Sequence, residues 1–313
     1  MLFSLKTKRD DKITAGLTLS SEGIALAIIS HASLQPVLLH VEFYPSTATE
    51  QPSLLAQLNK QHELDKRPCN LVLSPDEYQL LQVESPDVPS QEQGSAIRWR
   101  IKDLIDFHID DAVIDLINVP GDHASAARAV QVIACRKSIV QRYVDQLHEA
   151  NYALSTIDIA ELSARNLLRE QKEQKEAVAL LNLWGDYARI SLYLDNDLYL
   201  SRSSSIGMNT LAHLSEAENI DDASLMVIDS LALELQRTFD YYESHSRQAP
   251  IQQLFIQSNT SASNKLAELI QQRTGINTVD IKLDSLVQTK SDHAEPLPAR
   301  CLSAIGGALR MGN

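Results

Sequence analysis

Three segments of this chain have the residue types and setting to hold a phosphate or an adenosine, and all three lack the groups that would hold one tightly. They are Gly16-Leu17-Thr18-Leu19-Ser20-Ser21-Glu22-Gly23, Leu180-Leu181-Asn182-Leu183-Trp184-Gly185-Asp186 and Leu254-Phe255-Ile256-Gln257-Ser258-Asn259-Thr260. Each is an apolar run entering a short polar turn. Phosphate turns work through backbone N–H groups that glycine leaves bare and through a carboxylate that orders magnesium. Here the turn positions hold Thr18 and Ser20, then Asn182 and Trp184, then Ser258 and Asn259.

Other reactive patterns are weaker. Cys69, Cys135 and Cys301 lie far apart and form no CxxC pair, which fits reduced, buried thiols better than a disulfide frame or a zinc site. The nine histidines include no HxxxH, and none adjoins a residue with the setting of a catalytic nucleophile. Asp103, Asp106, Asp110 and Asp111 resemble a carboxylate cluster, but without a His or basic partner they read as a solvated helix face rather than a metal site. Glu234 and Arg237 have the spacing of a surface ion pair. Ser203-Ser204-Ser205 lacks the glycines of a nucleophile elbow. No catalytic residue and no metal site is expected.

Composition narrows the function further. The 313 residues suggest two domains, and 44% hydrophobic with 22% charged residues is ordinary for a soluble globular protein. A net charge of −13 argues against a nucleic-acid surface and against broad docking on anionic lipid. No run approaches the roughly 20 apolar residues of a membrane span. The opening Met1-Leu2-Phe3-Ser4-Leu5, followed by Lys6, Lys8 and Arg9, has the wrong order for a signal peptide; a membrane-touching segment and a frayed end are the two readings, and the second is expected.

The elements that would position the turns follow from periodicity. Alternation predicts strands over Ile13–Ser20, Ile24–Ser30 and Val37–Tyr44, an antiparallel meander. Leu54, Leu55, Leu58 and Leu64 sit at near-helical spacing. Asn70–Leu73 and Gln79–Glu84 read as a strand pair around Ser74-Pro75-Asp76-Glu77. Ser90 is the expected N-cap of a helix whose apolar stripe is Ile97, Ile101, Leu104, Ile105 and His108. Strands follow over Val113–Val119 and Ala129–Arg136, with Pro120-Gly121-Asp122 between them. Then come a helix Ser138–Ala150, a strand Ala153–Ile159 and a helix Ala160–Arg169. Glu170-Gln171-Lys172-Glu173-Gln174-Lys175-Glu176 marks the sharpest change in composition. Past it the pattern begins again: strands Val178–Leu183, Ala188–Leu194 and Leu198–Arg202, a hairpin turn at Asp195-Asn196-Asp197, a helix Leu225–Tyr242, a strand Ile251–Gln257, and helices Ser263–Arg273 and Ala299–Arg310. In the last of these, Ile305-Gly306-Gly307-Ala308 permits close packing.

Five further segments carry a family resemblance. They are Ala96-Ile97-Arg98-Trp99, Ile157-Asp158-Ile159-Ala160-Glu161-Leu162-Ser163-Ala164-Arg165, Ile206-Gly207-Met208-Asn209-Thr210-Leu211, Glu234-Leu235-Gln236-Arg237-Thr238-Phe239-Asp240-Tyr241 and Ala304-Ile305-Gly306-Gly307-Ala308-Leu309-Arg310. In order and spacing the chain resembles the PilM family, actin-like proteins of type IV pilus assembly. The resemblance implies an α/β, duplicated actin-like ATPase (ribonuclease H-like) fold with small inserted subdomains. It implies a first lobe at 1–172, with core 1–65 and 152–172 and an insert at about 66–151, and a second lobe at 173–313 with a helical insertion at about 208–246. It also implies a partner: the cytoplasmic N-terminal peptide of a PilN-like inner-membrane protein, bound in a groove of the first lobe, with a link to the pilus assembly motor. Ile97, Trp99 and Ile101 are the candidate partner-binding residues, although an aromatic at the start of an amphipathic helix is more often core.

Against that family, the first turn should read Asp-x-Gly-Ser and carries Thr18 and Ser20, with Ala25 where Lys is frequent. The second should read Asp-x-Gly and carries Asn182 and Trp184, an indole where only hydrogen fits. Ser258 and Asn259 replace adenosine-loop glycines. Charge-assisted contacts are worth about 1.5–3 kcal/mol each, so their loss predicts nucleotide binding weaker by roughly three powers of ten. The expectation is a pseudo-ATPase without cofactor, working as a cytoplasmic adaptor at the inner face of the inner membrane. An ATP–magnesium-binding, slowly hydrolysing switch is the alternative. The cytoplasmic domain of a GspL-like secretion platform is disfavoured, because no membrane-spanning stretch follows Arg310.

Overall fold

The computed structural model describes residues 12–120, 129–171, 177–211, 221–246, 249–257, 263–281, 288–289 and 299–310. The chain forms two compact units, one of Met1–Asn118, Ala127–Gln171 and Leu283–Asn313, the other of Val119–Ala126 and Lys172–Lys282.

The first unit is built on a six-stranded sheet. β1 (Ile13–Ser20), β2 (Gly23–Ser30) and β3 (Val37–Pro45) form the expected meander, and the Ser20–Gly23 pairing leaves a two-residue turn. Gly23 to Ile29 is buried throughout, so β2 reads as a continuous apolar run because both of its faces are covered. β4 (Cys69–Leu73) and β8 (Leu154–Ile159) extend the sheet in parallel beside β1, and β14 (Gln288–Thr289) borders β3, giving the order β14-β3-β2-β1-β4-β8. α1 (Gln51–His62) buries Leu55 and Leu58 and ends at Glu63, whose φ of 52° is left-handed.

A three-stranded antiparallel sheet lies between β4 and β8 in the sequence. Its order is β5 (Tyr78–Glu84), β7 (Ala129–Arg136), β6 (Ala112–Asn118). α2 (Ser90–Ile101) packs Ile97 and Ile101 onto it with Ile105, Val130, Val132 and Ala134. β4 and β5 are therefore not a pair: β4 is buried along its whole length in the large sheet, and β5 belongs to the small one. The small insert is β5 to β7, narrower than 66–151. α2 stops at Ile101, leaving Leu104 outside the helix and 56% exposed, and Pro89 rather than Ser90 takes its cap position. α3 (Lys137–Glu149) and α4 (Ala160–Gln171) complete this part of the chain. Gly121 and Asp122 lie outside the described residues.

The second unit repeats the plan. β9 (Val178–Leu183), β10 (Ala188–Leu194) and β11 (Asp197–Ser204) form a meander, and β12 (Gln253–Gln257) and β13 (Asn277–Asp280) run parallel beside β9, in the order β11-β10-β9-β12-β13. Asp195 and Asn196, with φ of 51° and 67°, make the two-residue turn that a right-twisted hairpin favours. α5 (Asp222–Ser246) buries Leu231, Leu235, Thr238, Phe239 and Tyr242, the stripe the periodicity predicts, and α6 (Ser263–Thr274) adds Leu266 and Ile270. α5 is thus a core element of this unit rather than an appended insertion.

The second unit ends at Lys282, not at residue 313 as the repeated layout suggests. α7 (Leu302–Ala308) belongs to the first unit, and the reason is steric and polar. A Cβ at Gly16 would strike the Ala304 carbonyl, one at Gly306 the Ser163 carbonyl, and one at Gly307 the Val72 side chain. α7 therefore touches β1, β4 and α4 backbone to backbone. Side chains then serve its carbonyls, which a helix end leaves unsatisfied. Asn70 Nδ2 donates to Gly307 O at 3.0 Å and Arg310 O at 3.2 Å, Asn166 Nδ2 to Gly306 O at 2.9 Å, and Ser163 Oγ to Ser303 O at 2.8 Å. The Thr14 hydroxyl donates to Ala308 O, and Arg310 pairs with the buried Asp158.

Candidate functional site

The first turn closes on itself. Thr18 lies half-buried in β1 opposite Ala25 and brings no charge to the turn. Ser20 is exposed; its hydroxyl donates to Gly23 O at 3.2 Å and accepts from Glu22 N at 3.3 Å, while its carbonyl accepts Gln51 Nε2 at 2.7 Å. A Cβ at Gly23 would meet the Tyr44 carbonyl, so this glycine serves the β2–β3 contact and not a ligand. The local hydrogen bonds of Ser20 use the polar groups that a phosphate would otherwise draw on.

The second turn is held from outside. Asn182, 5% exposed, is the penultimate residue of β9, and Trp184 N donates to Tyr187 O at 2.9 Å to close the turn. The Trp184 indole is half-buried and stacks on Tyr187, with centroids 5.0 Å apart and planes at 19°. Offset stacking of this kind adds about 0.5–1.5 kcal/mol beyond area burial. The segment after β11 then clamps the turn: Met208 N donates to Trp184 O and Asn209 N to Gly185 O, both at 2.7 Å, and Asn209 Nδ2 reaches Asp186 Oδ1 at 2.8 Å. Gly207 rides so close that a Cβ would collide with Tyr187 N and Gly185 O. Periodicity gave no hint of this clamp; the one signal was the Ile206-Gly207-Met208-Asn209 segment, whose glycine has no turn to make.

The third turn, with Ser258, Asn259 and Thr260, lies outside the described residues. The strand leading into it adds a feature that the residue types did not announce. Gln257 is 6% exposed, stands in register with Asn182 across the parallel β12–β9 pair, and its Oε1 is buried with no hydrogen-bond partner among the described residues. Two neutral amides thus lie side by side at the carboxyl side of adjacent parallel strands, the end where open α/β sheets bind ligands.

The partner-binding candidates divide. Ile97 and Ile101 are fully buried beneath α2 and hold it to the small sheet, so they offer nothing to a partner. Trp99 is on the other side of the helix, 72% exposed, with Lys102 Nζ 4.8 Å above its ring. The rule that places a helix-start aromatic in the core fails here because Ile97 and Ile101 already fill the inward face.

The remaining groups are structural. Asp103, Asp106, Asp110 and Asp111 are all exposed, and Asp106 pairs with Arg136 at 3.3 Å. No ion pair joins Glu234 to Arg237 among the described residues; the Glu234 carbonyl accepts the Thr238 hydroxyl at 2.8 Å. Burial pushes the thiols of Cys69, Cys135 and Cys301 up to about 12, which leaves them unreactive. Burial raises the Glu77 carboxyl against the lowering pull of Tyr143, whose hydroxyl donates to Glu77 Oε1 at 2.5 Å, and of Arg142 at 3.0 Å.

No protein-family profile and no curated protein matches the sequence. Solved structures do. A chain of the PilM–PilN type IV pilus biogenesis complex superposes with a TM-score of 0.72 at 18% identity, over 95% of this chain and 97% of that one. The cytoplasmic domain of EpsL, an inner-membrane component of the type II secretion system of Vibrio cholerae, superposes at 0.50 with 12% identity, over 83% of this chain and 94% of that one. A Bacteroides thetaiotaomicron protein of actin-like ATPase fold and unknown function gives 0.50 with 9% identity, over 89% and 93%. Two meanders of one topology, each with parallel strands beside its first strand, together with these likenesses, establish the actin-like ATPase fold, most similar in this set to PilM.

Proposed function

We propose that this chain is a non-hydrolysing, actin-like adaptor of a type IV pilus assembly platform of the MSHA kind, as its resemblance to the PilM-like protein MshI suggests. It binds the cytoplasmic N-terminal peptide of a PilN-like bitopic inner-membrane protein, is held at the inner face of the inner membrane by that partner, and connects it to the assembly motor. The observation that carries this reading is the chemistry of the two described turns. Thr18, Ser20, Asn182 and Trp184 supply no carboxylate for magnesium, and side-chain and clamp hydrogen bonds occupy the turns themselves. The likeness to a chain of a PilM–PilN complex supports the choice of partner. No helix among the described residues is long and apolar enough to cross a membrane, which agrees with membrane attachment through a partner.

Peptide capture by such a protein draws its affinity from apolar side chains entering a groove, with or without strand addition. Trp99, exposed on α2 of the first unit, is the anchor we assign. Titrating the chain with the first fifteen or so residues of its PilN-like partner should give saturable heat, and Trp99→Ala should weaken it by about tenfold, a hot-spot loss near 1.4 kcal/mol. Absence of binding at millimolar peptide contradicts the reading.

One observation favours a second reading, a nucleotide-binding switch. The unpartnered Oε1 of Gln257 beside Asn182 is the kind of buried acceptor that a ligand donor satisfies. Under that reading magnesium–ATP raises the melting temperature and Gln257→Leu removes the rise.

A further inference from the structure

The large hydrophobic side chains that stand exposed among the described residues are Leu34, Trp99, Leu104, Met226 and Leu233. The last two share one helix, α5, where Met226 is 70% and Leu233 46% exposed. Their spacing of seven residues is close to two full turns, so both lie on one face. Ser230 falls between them on that face, and Asp222 and Arg237 mark its two ends. The face points away from Leu231, Leu235 and Tyr242, which seat the helix in the core of the second unit.

The polar groups of this face fall into two kinds. Those near its middle are already engaged. Asp229, on the flank, pairs with Arg273 of α6, and Gln236 Nε2 donates to the Arg273 carbonyl at 3.1 Å. Ser230 Oγ donates to Met226 O at 2.9 Å, which leaves a small centre with its hydroxyl satisfied. The end groups differ. Asp222 and Arg237 are both exposed, and neither has an ion-pair partner among the described residues. They stand about 22 Å apart along the helix axis, too far to meet each other within one chain.

We propose that this face of α5 docks on the same face of a second copy of the chain, the two helices crossing antiparallel about a two-fold axis between Asp229 and Ser230. That axis sets Met226 against the partner's Leu233 and Asp222 against the partner's Arg237. Each contact occurs twice, as an isologous interface requires. A parallel alignment would instead oppose acid to acid and base to base, which is repulsive. The order of charge and apolar residues along one helix thus selects both a second copy and its direction. The Asp229 carboxylates nearest the axis are each neutralised by their own Arg273. One helix face buries less than the roughly 1,200 Å² of a stable interface, so the dimer is weak, with a dissociation constant on the order of 100 μM. The contact uses neither the peptide anchor nor the turns, and it stands independently of the adaptor reading.

The test is sedimentation equilibrium of the full chain from about 10 μM to about 1 mM, which should show a monomer–dimer equilibrium. Arg237→Glu alone and Asp222→Lys alone each oppose like charges at both ends and should weaken the dimer by about tenfold or more. Mixed one to one, the two variants face opposite charges again at both ends and should associate as the native chain does. Leu233→Asp should weaken the dimer by about tenfold as well, with the melting temperature and the peptide titration unchanged because the side chain lies outside the core. A native chain monomeric to about 1 mM, a mixture no more associated than its components, or native dimerisation by Leu233→Asp would overturn the proposal. Each of these results leaves the peptide-adaptor reading intact.

Discussion

The turn between β1 and β2 and the turn between β9 and β10 occupy the same place in two sheets of the same topology, yet each is kept in shape differently. The first is two residues long and is closed by the hydroxyl of Ser20 and the side chain of Gln51. The second is longer, carries a stacked Trp184–Tyr187 pair, and depends on Gly207, Met208 and Asn209 from beyond β11. A duplicated scaffold thus keeps its strands while its turns diverge. Strand pairing is fixed by burial on both faces; turns are free to change once they no longer grip a common ligand.

The largest effect is expected where the first unit has no counterpart among the described residues of the second, the polar seat of α7. Arg310→Ala leaves Asp158, 2% exposed, without its partner and should cost about 3 kcal/mol or more of stability in urea melts. A smaller and sharper contrast comes from the turns. Asn209→Ala removes the bond to Asp186 and should cost about 1 kcal/mol, whereas Ser20→Ala, at an exposed turn, should cost about 0.5 kcal/mol or less. Equal losses would mean that the two turns are held alike and would break the comparison.

The smallest effect is one of pH in the first unit. Burial, and then the charge of neighbouring His40, holds the His62 imidazole below its usual 6.5, and its Nε2 is buried without a hydrogen-bond partner among the described residues. A lowered folded value means that the unfolded chain takes up the proton first. Stability is therefore complete above pH 6.5 and is lost as pH falls through the folded value. The melting temperature should drop on acidification below pH 6.5, and less steeply in His62→Gln.

Much of the strand order was legible in the residues, because β1, β2, β9 and β10 alternate or run apolar between turn residues that leave one register. The stripe Leu231, Leu235, Phe239, Tyr242 fixed the buried face of α5 in the same way. The small glycines of α7 announced close packing but not its target, which depends on Gly16, nearly 300 residues away in the chain. The β4–β5 pairing was misread for a related reason: Ser74-Pro75-Asp76-Glu77 makes a turn between strands of two different sheets as readily as within one hairpin. At the candidate site, the missing carboxylates were visible in the sequence at Thr18 and Asn182. The clamp by Asn209 and the unpartnered Gln257 were not, since the first arises from a segment beyond β11 folding back on a turn and the second from register between distant strands. For Trp99 the partner-facing and core readings both stood, because helical periodicity gives faces but not which one the small sheet covers.

The measurement closest to the central claim is a calorimetric titration of the full chain with ATP in excess magnesium, run beside a chain carrying Thr18→Asp, Asn182→Asp and Trp184→Gly. Turns that carry Thr18 and Asn182 in place of magnesium-ordering acids predict no saturable heat below about millimolar nucleotide for the native chain, in line with the loss of several charge-assisted contacts. Micromolar, saturable binding by the native chain would contradict that account.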